Sequence, residues 1–228
     1  MRIGEIIETS TVGFWAESVA LHELPPLGSL VAVDVPEGGT LVGVVAFGQT
    51  AGLDEGRRAV RRGDVEVFDG AIYARHPELT RILRTTFRVV TVGYVGQDGQ
   101  VRHHLPPTPP PLHYSVSGCD RATVRAFTEE PRYFAILMAS EGEVAPEQLL
   151  AAHIRAATAD RGGDEDWRAA AGRQVARLLK RDYDRLLTVL EAIDPGIAPP
   201  ATVPLPRPQA VPRTNGHRGK AALDDVPF

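Results

Sequence analysis

Hydrophobic and polar positions alternate with a period of two through much of the first hundred residues, and recur every three to four residues from about position 120 onward. The first spacing belongs to β-strands with one buried face, the second to amphipathic helices. Ile3 to Ile7 and Thr11 to Leu21 read as the opening strands. Pro25-Pro26 and Gly28 then make a turn. Ser29 to Val35 alternates, with Leu30, Ala32 and Asp34 on one face and Val31, Val33 and Val35 on the other. Pro36, Gly38 and Gly39 mark a hairpin into Thr40 to Phe47. Phe87 to Val95 is a further strand, and Asp98-Gly99 is a tight-turn signal leading into Gln100 to Leu105. Many short strands broken by Gly/Pro turns predict a small barrel or sandwich. Residues 51–86 read as an insertion crossing between barrel strands, with a short helix over Pro77 to Arg84.

LPPTPPP, residues 105–111, ends the β region, because five prolines fit neither a central strand nor a helix interior. It predicts an extended polyproline stretch packed on the barrel or bridging away from it. Asp120 is a good N-cap for a helix over 121–128. Pro131 opens a second helix to about Ala139, and Pro146 a third through Ile154. From Asp164 a single apolar stripe (Trp167, Ala171, Val175, Leu178, Tyr183, Leu186, Leu190, Ile193) predicts one long helix stopped by Asp194-Pro195-Gly196. The expected fold class is α+β: an N-terminal small β-barrel over 1–114 and an α-helical region over 115–195. Residues 196–222 are Pro-rich, basic and without aromatics, which predicts a disordered linker. An acidic tip over 223–228 follows.

Composition narrows the functional classes. The net charge of −4 makes no global demand for nucleic acid, so any such site must be a local patch. The single cysteine, Cys119, fits a reducing compartment. No signal-like segment opens the chain and no stretch is long and apolar enough for a membrane, so the expectation is a cytoplasmic protein with no membrane contact.

Candidate chemistry is sparse. The chain has no GxxxxGK[ST] phosphate cradle, no GxGxxG opening a helix and no GxSxG elbow. His103, His104, His113 and Cys119 match no standard zinc spacing and read as surface histidines with a small buried thiol. Glu129-Glu130 and Asp164-Glu165-Asp166 lie near predicted helix ends and read as structural, the second group at a helix N-terminus where negative charge suits the dipole. The expectation is a protein that is not an enzyme and carries no cofactor or metal. The densest basic cluster, Arg57, Arg58, Arg61 and Arg62, with Arg81, Arg84 and Arg88 following, is the candidate nucleic-acid-binding patch; the alternative is a solvated face. Phe14 and Trp15 are either a stacking platform for single strands or core.

RIGEIIETSTVGFWAE, GSLVAVDV and GTLVGVVAFG together resemble the HAS-barrel, the small barrel at the N-terminus of HerA-type hexameric translocases and of rotary ATP synthase subunits. LPPTPPPLHYSV, AFTEEPRYFAILM and GRQVARLLKRDYDRLLTVLEAI extend the likeness over 1–193 to stand-alone HAS-barrel proteins of bacteria. No P-loop ATPase domain follows the barrel, so motor activity does not carry over. Ring assembly and partner contact are what the barrel implies, with a HerA-like or rotary ATPase as one expected partner and homo-oligomerisation as another.

LDDVPF is similar to the acidic C-terminal tip of bacterial single-stranded DNA-binding proteins (SSB), which docks onto replication and repair proteins. The resemblance makes Asp224, Asp225, Val226, Pro227 and Phe228 the expected partner-binding residues. Phe228 would fill an apolar pocket, its α-carboxylate would meet a cation at the rim, and the aspartates would meet a basic ridge. The expected function is non-enzymatic: a DNA replication and repair protein that recruits partners recognising SSB-type tips, with single-stranded DNA as candidate ligand of its body. The alternative is an assembly or regulatory partner of an ATPase ring.

Overall fold

The structure is a computed structural model, and it describes residues 1–36, 39–53, 58–63 and 66–193. Among the described residues seven strands run β1 (Arg2–Thr9), β2 (Gly13–Ser18), β3 (Leu30–Val35), β4 (Gly39–Gly52), β5 (Leu83–Val95), β6 (Val101–Arg102) and β7 (Ser115–Gly118). Six of them close a ring in the order β2-β1-β7-β3-β4-β5, shut by antiparallel pairing of β2 with β5. β6 hangs on the outer edge of β5 through Tyr94–Arg102 and Val95–Val101. Closure leaves the ring without free edges, a good solution for strands this short.

The helices are α1 (Gly70–Arg75), α2 (Leu79–Ile82), α3 (Arg121–Thr128), α4 (Phe134–Met138), α5 (Pro146–Asp160), α6 (Glu165–Leu178) and α7 (Tyr183–Ile193), with a 3₁₀ turn over Pro131–Tyr133. The fold is α+β, a barrel followed by helices. None of the described helices is long and apolar enough to cross a membrane.

Two apolar cores share the barrel wall. The inner one takes Ile6, Phe14, Ala16, Val31, Val33, Leu41, Val45, Phe87, Val89 and Val116, at least one from each ring strand. The outer one sets Leu30, Val42, Val44, Ala46, Val90 and Val92 against the helices. The alternation in β3 is as its sequence predicts, with Val31 and Val33 inside and Leu30 outside. β4 and β5 are covered on both faces, which explains their near-continuous Val and Leu.

Helix starts follow their caps. The Asp120 carboxylate accepts from the Thr123 amide at 2.7 Å, and Asp164 from Trp167 at 3.0 Å. Pro131 and Pro146 each open the next helical segment. The single long helix expected after Asp164 is two helices. The chain turns at Leu179–Asp182, and Asp182 accepts from the Arg185 amide to start α7. A straight helix of thirty residues would extend roughly 45 Å, beyond a core this size. The turn lets Val175 and Val189 enter the same cluster.

Barrel and helices are pinned at Gly28. Its φ is 85°, and a Cβ there would lie 2.4 Å from the backbone nitrogen of His153 in α5. The buried His153 donates from Nδ1 to the Gly28 carbonyl at 2.7 Å, since a carbonyl can only accept. Its Nε2 therefore carries the lone pair and accepts from the Tyr133 hydroxyl at 2.8 Å. Burial holds the imidazole well below the usual histidine range, at about 4, so it is neutral.

The run 105–111 has neither helix nor strand. It lies on the barrel, with Pro110 buried and its carbonyl accepting from the Thr9 hydroxyl at 2.8 Å.

Candidate nucleic-acid interface

β4 and β5 continue past the barrel as a two-stranded ribbon, pairing Thr50 with Thr85 and Gly52 with Leu83. The insertion springs from the end of this ribbon. The expected helix over 77–84 is only Leu79–Ile82, because Leu83 and Arg84 join the ribbon. Leu53 is tied to the close of α2 by its amide bonding the Ile82 carbonyl at 3.0 Å.

This arrangement brings part of the predicted basic cluster against the barrel. Arg58, Arg61 and Arg62 are exposed, and they form no ion pair among the described residues. Arg57 lies outside the described residues. Arg58 and Arg84 edge a cleft of about 660 Å³ that also contains Trp15, Gln49 and Thr50. Arg58 and Arg62 edge a neighbouring cleft of about 520 Å³ with Tyr73, Leu53 and Ile82. The two clefts share Gly52, Leu53, Arg58 and Ala59, so they are contiguous.

The other predicted cations are partly engaged. Arg84 stands 3.7 Å from Glu17, and Arg88 3.6 Å from Glu143. The carboxyl of Glu78 is held below its usual range, first by a backbone hydrogen bond and in smaller part by His76 and Arg62. Glu8 is an acidic member of the first cleft.

The pair Phe14 and Trp15 divides. Phe14 is core, 3% exposed, inside the barrel. Trp15 points the other way, is half-buried, and meets Phe47 edge-on with ring centroids 6.0 Å apart. Sequence reasoning missed Tyr73, whose hydroxyl is hydrogen-bonded to the His22 ring. The signal for it is weak: one aromatic in a segment whose course depends on where the ribbon ends.

His103, His104, His113 and Cys119 go separate ways. The His103 Nε2 bonds the Phe127 carbonyl at 2.9 Å, and half-burial lowers its pKa. His104 bonds the Leu105 carbonyl and His113 bonds Glu5. Burial pushes the Cys119 thiol up to about 12, with Asp120 and Asp160 adding to it. At neutral pH it is a protonated thiol and a poor nucleophile. The acidic groups act structurally. Arg161, nearly buried, bonds Asp164, the Arg125 carbonyl and the Thr128 hydroxyl, and lies 5.2 Å over the Trp167 ring.

A second groove, of about 700 Å³, runs between the proline run and the ends of β3–β6, with Tyr94 and Arg102 in its wall. Arg102 is held by Asp98 at 2.6 Å, an ion pair that keeps the Asp98 carboxyl down at about 2.

The expected tip residues Asp224, Asp225, Val226, Pro227 and Phe228, and the expected linker 196–222, lie outside the described residues. Compared with known proteins, the chain matches no family model and no curated protein.

Proposed function

We propose that this protein is a non-enzymatic factor of DNA replication and repair that recruits partners which recognise SSB-type tips. The observation that carries the reading is the sequence LDDVPF at 223–228, set behind a Pro-rich stretch. Its chemistry suits a pocket with an apolar floor and a cationic rim. Phe228 supplies a ring and Asp224 and Asp225 supply charge for steering. Pro227 reduces the entropy lost on docking. The reading requires Phe228 to carry a free α-carboxylate, because that group is the partner of the rim cation. Single-stranded DNA is the proposed ligand of the body, supported by Arg58, which shares the cleft of Trp15 and forms no ion pair among the described residues.

A competition experiment tests the tip. Replication and repair proteins are captured on the immobilised 228-residue chain and challenged with a synthetic AALDDVPF peptide. The free acid is expected to release them, and the same peptide with an amidated C-terminus is expected to fail. Equal release by both forms, or by neither, contradicts the proposal.

The closed six-strand barrel favours a second reading, in which the body is an assembly or regulatory partner of a HerA-like or rotary ATPase ring. That reading predicts co-purification with such an ATPase whether or not residues 196–228 are present.

A further inference from the structure

The groove formed by the two contiguous clefts carries an inference about what the body holds. It resides on a part of the barrel wall that the helical core leaves free: the outer cluster draws its barrel residues from β3, β4 and β5, and Trp15 of β2 is outside both cores. Arg58 sits where the clefts meet, with Arg84 on one side and Arg62 on the other. One half-buried aromatic belongs to each cleft, Trp15 to the first and Tyr73 to the second. Both are held in place, Trp15 by its edge contact with Phe47 and Tyr73 by His22. Arg58 and Arg62 form no ion pair among the described residues, Arg62 acting on the Glu78 carboxyl only as a weaker charge influence, in a chain with 29 acidic side chains against 25 basic ones. Gln49 and Thr50 add neutral hydrogen-bonding groups to the lining of the first cleft.

We infer that this groove binds a short stretch of single-stranded nucleic acid, with bases stacked against Trp15 and Tyr73 and phosphates met by Arg58 and Arg62. Alternation of ring and cation suits a strand whose bases and phosphates repeat together. A duplex stacks its bases on each other and offers no face to Trp15. Glu8 lines the groove and Glu17 stands 3.7 Å from Arg84, so both lower its net charge and binding depends on stacking as well as on charge. The inference deepens the reading of the body as a DNA-binding element, and it is independent of the tip.

The test is a titration of the 228-residue chain with fluorescently labelled dT15, rU15 and a 15-base-pair duplex at several salt concentrations. Both single strands are expected to bind more tightly than the duplex, and their ratio decides between DNA and RNA. Trp15→Leu is expected to weaken binding roughly tenfold or more, while Trp15→Phe keeps most of the affinity but loses the quenching of tryptophan emission. Trp167, 5% exposed in the helical core, is too buried to stack. Replacing both Arg58 and Arg62 with alanine is expected to flatten the slope of log affinity against log salt by about 1.4, at about 0.7 per phosphate contact. These two arginines are exposed, so that variant folds even if the Trp15 changes disturb packing.

Tighter binding of the duplex, an unchanged salt slope, or poly-glutamate competing as well as dT15 overturns the inference; the last outcome would assign the groove to an acidic peptide. Phe228→Ala is expected to leave every one of these titrations unchanged. A failed groove and a failed tip are therefore distinguishable.

Discussion

At the scale of residues, the junction between barrel and helices rests on a glycine and a histidine. Gly28 was legible as a turn residue, but its contact with α5 was not, because that depends on a histidine 125 residues away. A methyl group at Gly28 would meet backbone on α5 in a conformation L-residues avoid. Gly28→Ala is expected to cost about 3 kcal/mol, combining positive-φ strain with overpacking, read as a lower urea midpoint with unchanged slope. His153 gives a pH signature. Its folded pKa of about 4 lies below the value near 6.5 of an unfolded histidine, so the unfolded chain binds more protons between those limits. Stability is complete above about pH 6.5 and falls as the pH drops toward 4, by about 3 kcal/mol. His103 is shifted the same way and adds to the trend. His153→Gln starts less stable and is expected to lose clearly less between pH 7 and 4.5; an equal loss would place the titration elsewhere.

At the scale of elements, periodicity identified types well and ends poorly. The strand carrying Val31 and Val33 was readable because its alternation mirrors a closed barrel, and those carrying Leu41 and Phe87 because their near-continuous apolar runs mark strands covered on both faces. β7 was not, since Ser-Val-Ser-Gly offers one apolar residue and follows a proline run. The break between α6 and α7 was hidden because the apolar stripe continues through it. Arg161 shows how charge joins elements. It bonds acceptors at the C-terminal end of α3 and Asp164 at the start of α6. Arg161→Met leaves these acceptors and Asp164 without their donor and is expected to cost about 3 kcal/mol in urea unfolding. Arg161→Lys keeps the charge but not the fork, and is expected to recover only part of that loss.

At the scale of the whole molecule, the sequence conveyed a barrel followed by helices and a distinct C-terminal stretch, but not how the insertion meets the barrel. That meeting creates the candidate groove, and it depends on β4 and β5 outrunning the ring as a ribbon. The basic cluster was legible as composition; its placement beside Trp15 is a product of that ribbon. The proline run was expected to end the barrel, and it also walls a groove with Tyr94 and Arg102. The proposed function is that of an adaptor, with a body to bind single strands and a tip to recruit partners. Its central claim concerns the tip, and a paired capture from cell extract addresses it most directly. The 228-residue chain and its Phe228→Ala variant serve as baits, and the captured proteins are identified by mass spectrometry. The account predicts replication and repair proteins with the first bait and their loss with the second. The same proteins on both baits, or no replication or repair protein on either, contradict it.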